Sequence, residues 1–385
     1  MNNLDFLKNL RQQTQESNGK RYRIFMEVVT SCFGNCSGCA LSFTARKNLN
    51  PDISLEQIQD IFKYFVPIIN NKPNITTTSL VLGTGEYFLM NEEFLNNLFK
   101  EVNLFFKQLK TPINVLAVSS AMLMSEEKII DKIMALKNNL DEKQFAIEGV
   151  IDPLLLEVHY DRYLQNYRDM VKHFPLFDLV VNLSDGLKPK DLDLLNKLLS
   201  EMDVFNVDVQ YQLNGDNTYR VKTSPENFIA CMDHMYANLK DKDSEVIDMS
   251  IALPMPVPED DDSTVFDYIK KNARESLEER ILVKGNGNLY PVGTAYGDIF
   301  LDERYGFKPI GHISKPIDFE QAENEIFKYM KTIFVKKPAC HTCEYNKQCY
   351  GSGYSFYNKF TTGKECDNVG LFAFKRAEEL SQEQS

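Results

Sequence analysis

Cys32, Cys36 and Cys39 stand in a Cys-x3-Cys-x2-Cys spacing inside the stretch SCFGNCSGCALSFTAR, Ser31 to Arg46, so three of the eight cysteines of the chain fall within eight residues. Two chemistries compete for such a cluster. A structural zinc site closes a tetrahedron with four protein ligands, and no fourth Cys or His lies in this loop. An iron-sulfur cube can be held by three thiolates, which leaves its fourth iron open to a substrate or cofactor. Gly34 and Gly38 let the backbone curl tightly enough for three thiolates to converge. The apolar run before the loop, Tyr22 to Val29, reads as a buried strand. The cysteines are then expected at that strand's C-terminal end, where barrel enzymes carry their chemistry.

A second cysteine group lies near the other end: Cys340-His341-Thr342-Cys343, then Cys349 after five residues and Cys366 after sixteen more. Four thiolates suffice to close a zinc tetrahedron or to saturate a cube, and spacing alone does not separate the two. His341 stands between two of these cysteines but is not needed as a ligand. Cys231 stands alone beside Ile229, Met232 and Met235, and reads as a small buried hydrophobe. Between the two groups, Gly83-Thr84-Gly85-Glu86 follows a short apolar run. Its glycines allow a ligand to approach the backbone, and Glu86 offers a carboxylate that could pair with an ammonium group. Ser119-Ser120-Ala121 ends the next extended run. Glu148 and Asp152 lie on or just after the one following, before His159, Asp161 and Arg162. Asp161 and Arg162 also suit a solvated helix N-terminus, because acidic residues favour the first turn.

The early loop resembles the signature of the radical S-adenosylmethionine (radical SAM) superfamily. There, three cysteines at this spacing bind a [4Fe-4S] cluster, and the sulfonium cofactor chelates the open iron. The family's aromatic residue before the third cysteine is Gly38 here. Gly83 to Tyr87 resembles the family's Gly-Gly-Glu-Pro segment, which contacts the cofactor's amino group; Thr84 replaces a Gly and Tyr87 the Pro, while Gly85 and Glu86 are kept. The same resemblance implies cofactor contacts for Ser119 or Ser120, where relatives show Thr-Asn-Gly, and for Asn182, matching an Asn that relatives place near the ribose or carboxylate. Peptide-modifying relatives have a His-Asp and Arg pattern like His159, Asp161 and Arg162 after the fourth strand.

The late cysteines resemble the SPASM extension of radical SAM enzymes, which normally carries two auxiliary [4Fe-4S] clusters. Cys340, Cys343, Cys349 and Cys366 match the outer cluster's ligands. Gly353 and Val292 stand where inner-cluster cysteines belong, so the resemblance implies one auxiliary cluster, with no open iron. Gly287 leading through Tyr290-Pro291 resembles the extension's start, and Gly311 with Ile313 resembles the Gly-Asn-Ile that follows it. The implied activity is reductive cleavage of S-adenosylmethionine to a 5′-deoxyadenosyl radical that removes hydrogen from a substrate. The implied substrate is a peptide or protein, as in ribosomal peptide maturases, and the electron donor a protein such as flavodoxin or ferredoxin. A dehydrogenase or carbon-carbon bond former acting on a small molecule is the enzymatic alternative, and a zinc-stabilised binding scaffold the non-enzymatic one.

The elements that must position these residues follow from the pattern. Helical periodicity over Ser54–Ile69, Glu92–Phe106, Glu126–Leu136, Tyr160–His173, Lys190–Met202 and Pro225–Leu239 alternates with extended runs. Those runs are Thr78–Leu82, Ile113–Val118, Phe145–Ile151, Leu179–Leu183, Val204–Tyr211 and Val246–Leu253. Strands this apolar are covered on both faces, which argues for parallel strands wrapped by helices. Six strand-helix units fit the α/β partial (β/α)6 TIM-like barrel of the resembled family, followed by a small SPASM/twitch-like extension. Pro254 to Asp262, with three prolines and four acidic residues, reads as the linker. The expected division is an N-terminal segment 1–21, barrel 22–253, linker 254–263, auxiliary-cluster domain 264–376 and a flexible tail 377–385. Within the extension, Thr264–Glu279 reads as a helix, Arg280–Val292 as a hairpin turning at Gly285 to Asn288, and Phe319–Phe334 as another helix.

The chain of 385 residues has 43% hydrophobic residues and a formal net charge of -12, which points to a globular protein. That charge argues against nucleic acid or an anionic membrane as the main partner, since either needs a basic face. The N-terminus has no secretory signal pattern and no apolar run reaches the ~20 residues of a membrane span, so a cytoplasmic location is expected. In a reducing compartment, clustered cysteines bind metal more often than they pair.

Overall fold

The computed structural model describes residues 20–29, 31–32, 53–83, 85–120, 130–141, 144–172, 177–183, 187–202, 207–211, 277–293, 299–300 and 307–324, with single positions 123, 230, 233, 303, 327 and 379. Strands β1 (Lys20–Glu27), β2 (Ile75–Leu82), β3 (Ile113–Ser120), β4 (Phe145–Ile151), β5 (Phe177–Leu183) and β6 (Val207–Tyr211) lie side by side in chain order. Every neighbouring pair is parallel. Helices α1 (Leu55–Asn70), α2 (Glu92–Gln108), α3 (Ile130–Asn139), α4 (Leu156–Val171) and α5 (Pro189–Glu201) alternate with them. A parallel pair cannot be joined by a tight turn, so each crossover needs the length a helix supplies.

The helices start where local chemistry allows. Ser54 caps α1 by accepting from the Gln57 amide at 3.2 Å, and the Gln57 side chain returns to the Ser54 amide at 2.9 Å. Asn91 accepts from the Phe94 amide at 2.7 Å ahead of α2. Pro189 opens α5, and the Asp191 carboxylate accepts from the Lys188 amide at 2.8 Å. Helix α4 begins four residues earlier than its periodicity predicts. Asp152 accepts from the Leu154 amide at 3.0 Å and Pro153 starts a short 3-10 turn that leads straight into α4. Asp161 and Arg162 therefore lie inside the helix rather than at its first turn.

One face of the sheet is sealed by these helices. Tyr22, Ile24 and Met26 of β1, Leu80 and Leu82 of β2, and Leu116 and Val118 of β3 share a continuous buried core with Ile58, Phe62 and Phe65 of α1 and Leu95 and Phe99 of α2. Phe62 stacks on Phe105 with centroids 4.6 Å apart and so locks α1 to α2. Intervening residues point the other way, where Phe25 packs with Leu282, Tyr290 and Val292.

Strand β7 (Arg280–Lys284) pairs parallel with β1 on the side away from β2, from Arg23 opposite Arg280 to Glu27 opposite Lys284. It forms a hairpin with β8 (Asn288–Gly293), whose turn passes Gly287 at φ 81°. This is the hairpin expected at Arg280–Val292, and it is hydrogen-bonded into the parallel sheet. Short strands β9 (Ile299–Phe300) and β10 (Gly311–His312) flank β8. Among the described residues no helix is long and apolar enough to cross a membrane. The expected strand Val246–Leu253, the linker 254–263 and the late cysteines lie outside those residues, as do most of the helices expected at Pro225–Leu239 and Thr264–Glu279.

Candidate functional site

A parallel sheet delivers the C-terminal ends of all its strands to one edge, and open α/β folds bind ligands there. Cys32 after β1, Gly85 and Glu86 after β2, Ser119 and Ser120 ending β3, and Asp152 after β4 all occupy that edge. The backbone of Asn182 reaches it on β5. Cys36, Cys39, Cys340, Cys343, Cys349 and Cys366 lie outside the described residues. Among those that are described, no three His, Cys, Asp or Glu residues gather into a metal-binding group.

The exits of β1 and β2 are pressed together. A Cβ on Gly85 would stand 2.1 Å from the Val29 carbonyl oxygen and 3.0 Å from that of Ser31, so only a glycine fits. The Glu86 amide donates to Ser31 O at 2.7 Å. The fully buried Tyr87 hydroxyl donates to Met26 O at 2.7 Å and accepts from the Val28 amide at 3.4 Å. Residues 85–87 thus grip Met26, Val28, Val29 and Ser31, and Cys32, half-buried, is the next residue along.

The Glu86 carboxylate is only 1% exposed. Ser120 Oγ lies 2.8 Å from Oε2 and 3.0 Å from Oε1, and the Phe88 amide donates to Oε1 at 3.1 Å. These bonds reach the carboxylate from β3 and from the turn that follows Glu86, and so fix its orientation. The parity of β3 separates its two serines. Ser120 follows Leu116 and Val118 onto the helix-covered side, where it reaches Glu86, whereas Ser119 shares a register position with Glu148 on the opposite face. The structure thus brings Glu86 and Ser120 together and sets Ser119 beside Glu148. His159 and Arg162 form their own contact, Nδ1 to Nη1 at 3.4 Å, on α4.

At the β1–β7 side of the edge, Lys284 Nζ lies 3.9 Å from Glu27 and 2.6 Å from Glu303, and the Tyr290 hydroxyl donates to Glu303 at 2.5 Å. Burial raises the Glu303 carboxyl pKa, but the Lys284 and Tyr290 donors outweigh it and hold the group below its ordinary value. A cleft of about 730 Å³ opens at the opposite edge of the sheet, among Lys20, Lys72, Ile75, Leu277, Glu278 and Phe319, away from all these groups.

The residues suit an ammonium-bearing cofactor held beside a thiolate-ligated cluster. Glu86 supplies an oriented, buried anion; the Gly85 backbone lies against the entry to the cysteine loop; and Ser31 Oγ is buried with no hydrogen-bond partner among the described residues. Sequence reasoning selected Glu86 and Ser120 but missed that they bind each other. It also missed Tyr87 as a structural partner of β1, since its two contacts span 61 and 59 residues.

No family model and no curated protein matches this chain. Solved structures do. Native anSMEcpe with bound AdoMet and Cp18Cys peptide aligns at TM-score 0.62 and 13% identity, over 95% of this chain and 98% of that one. The same protein with AdoMet alone aligns at 0.60 and 13%, over 94% and 97%. SuiB from Streptococcus suis, bound to S-adenosylmethionine, aligns at 0.55 and 12%, over 94% and 81%. These are radical SAM enzymes. At such identities the likeness is one of fold, a mixed α/β architecture consistent with a TIM-like fold.

Proposed function

We propose that this chain is a radical SAM enzyme acting on a peptide or protein. The observation that carries the reading is the buried Glu86 carboxylate, oriented by Ser120 and tied through its own amide to Ser31, next to the first cysteine of the Cys32, Cys36, Cys39 spacing. In this reading the three thiolates hold a [4Fe-4S] cluster, and Glu86 accepts hydrogen bonds from the ammonium of S-adenosylmethionine. Ser119 and the backbone of Asn182 lie at the same edge of the sheet, and the reading assigns both residues as further cofactor contacts. When bound, cluster and cofactor supply a one-electron cleavage of a carbon-sulfur bond and abstraction of hydrogen from an unactivated carbon. The chain's part is to bind and orient them and to keep water away. Phe25, Leu282, Tyr290 and Val292 contribute to that last task by packing together on the sheet face opposite α1 and α2.

The architecture in this reading is a partial (β/α)6 barrel with a SPASM-like extension over 264–376. Cys340, Cys343, Cys349 and Cys366 bind one auxiliary cluster, as a relay or a staple. Val292, fully buried among apolar side chains, agrees with the loss of an inner cluster. A peptide substrate is supported by the fold shared with anSMEcpe, solved with peptides bound, and an electron carrier such as flavodoxin or ferredoxin completes the cytoplasmic system. The test is anaerobic reconstitution with reductant and S-adenosylmethionine, followed by mass spectrometry of peptides co-expressed from neighbouring genes. The reading predicts 5′-deoxyadenosine and a mass-shifted peptide. A colourless, zinc-loaded protein that releases no 5′-deoxyadenosine overturns it.

A further inference from the structure

We infer that Tyr87 is a positioning residue: its hydroxyl clasps the Glu86 turn to the end of β1, so that the cofactor's anion and the entry to the cysteine loop move as one body. The inference rests on the reading above for its functional consequence, and on geometry for the clasp itself.

Three independent contacts fasten the two strand exits. The Tyr87 hydroxyl uses both its capacities, donating to Met26 O at 2.7 Å and accepting from the Val28 amide at 3.4 Å. The Glu86 amide donates to Ser31 O at 2.7 Å, and Gly85 lies directly against Val29. All of Tyr87 is buried, as are Val28, Val29 and Ser31, so no water replaces a lost partner. Met26 is the last helix-facing residue of β1, paired with Leu82 of β2, and beyond it the ladder between these strands ends. The Tyr87 hydroxyl takes over beyond the last rung: it satisfies Met26 O and the Val28 amide across the gap where β2 has turned away. A proline at position 87, as in the segment this turn resembles, has no such group. Ser120 fixes the Glu86 carboxylate from the other side, on β3. Tyr87 sets where the turn stands relative to Cys32, and Ser120 sets where the carboxylate points.

Backbone amide exchange in the metal-free Tyr87→Phe chain tests the clasp. Exchange at the Val28 and Glu86 amides is expected to accelerate about tenfold over the wild-type chain, with amides of α4 and α5 unchanged. In the reconstituted variant, iron content stays at the wild-type level while the Kd for S-adenosylmethionine rises about tenfold; the Ser120→Ala variant raises that Kd without touching the Val28 amide. Should Tyr87→Phe fail to fold, the wild-type chain decides alone, because a clasp requires the Val28 and Glu86 amides to open together, with protection within about threefold. Unchanged exchange at both amides, or acceleration spread evenly over the chain, overturns the proposal. If the wild-type reconstituted chain binds no S-adenosylmethionine, the cofactor reading fails, and the exchange pattern still decides whether Tyr87 clasps the turn.

Discussion

Two glycines of one turn make opposite demands on a methyl group, and substituting each by alanine measures how tightly the site is built. In Gly85→Ala the new Cβ meets Val29 O at 2.1 Å and Val29 C at 2.7 Å, both backbone atoms that no rotamer change can remove. To reach an ordinary contact distance the two segments must part by more than an ångström, which breaks the 2.7 Å bond from the Glu86 amide to Ser31 O. Overpacking of this kind and the orphaned buried amide together cost about 3 to 5 kcal/mol. In Gly83→Ala nothing among the described residues lies within 4 Å of the added methyl and the backbone has no positive φ, so the cost stays below about 0.5 kcal/mol. The assay is urea unfolding of both metal-free variants beside the wild-type chain. With a slope of about 3 kcal/mol per molar, the Gly85→Ala midpoint falls by about 1 to 1.7 M while that of Gly83→Ala holds. Equal midpoints for the two variants would refute the close approach of the strand exits on which the site is built.

Three further outcomes follow from the geometry. Ser120→Ala removes a hydroxyl donor to a buried carboxylate and is expected to cost about 1.5 to 3 kcal/mol in the same unfolding assay, whereas Ser119→Ala, on the other face of β3, costs less than about 0.5 kcal/mol. Ser54→Ala removes the hydroxyl that accepts from the Gln57 amide, one half of the α1 capping box, and lowers stability by about 1 kcal/mol, read as a shifted melting midpoint. Because Glu303 titrates below its ordinary value, its ion pair adds stability that is present above the ordinary carboxylate pKa and is lost as pH falls through the lowered one. Glu303→Gln should therefore lower stability at neutral pH, where the wild-type pair contributes, and match the wild-type chain in acid, where that carboxyl is protonated, so that stability falls less from neutral to acid pH; a variant as stable as the wild type at neutral pH contradicts the pairing.

Much of the scaffold was legible in local pattern. The apolar runs Phe145–Ile151 and Leu179–Leu183 were found within two residues of the observed strands, because their apolar residues are dense enough to mark a strand even with Glu148 and Asn182 among them. The start of α4 was missed, although Asp152-Pro153 carried the signal: a capping carboxylate followed by a residue with preset φ. What local pattern does not encode is pairing across long separations. Arg23 opposite Arg280 joins the hairpin to β1, and nothing in either segment names the other. Within the candidate site, Gly85 and Glu86 were singled out by their residue types together with the likeness of their turn to Gly-Gly-Glu-Pro. The same turn showed Tyr87 only as a departure from a proline; its meaning lies in Met26 O and the Val28 amide, backbone groups that leave no trace in residue type.

The central claim is that the thiolates of Cys32, Cys36 and Cys39 hold an iron cube beside Glu86. It is tested most directly by iron content and 5′-deoxyadenosine yield after anaerobic reconstitution of the wild-type chain and of a variant carrying Cys32→Ala, Cys36→Ala and Cys39→Ala. The account predicts about eight irons per wild-type chain, about four in the variant, and 5′-deoxyadenosine from the wild-type chain alone. Equal iron in both, or 5′-deoxyadenosine from the variant, contradicts it.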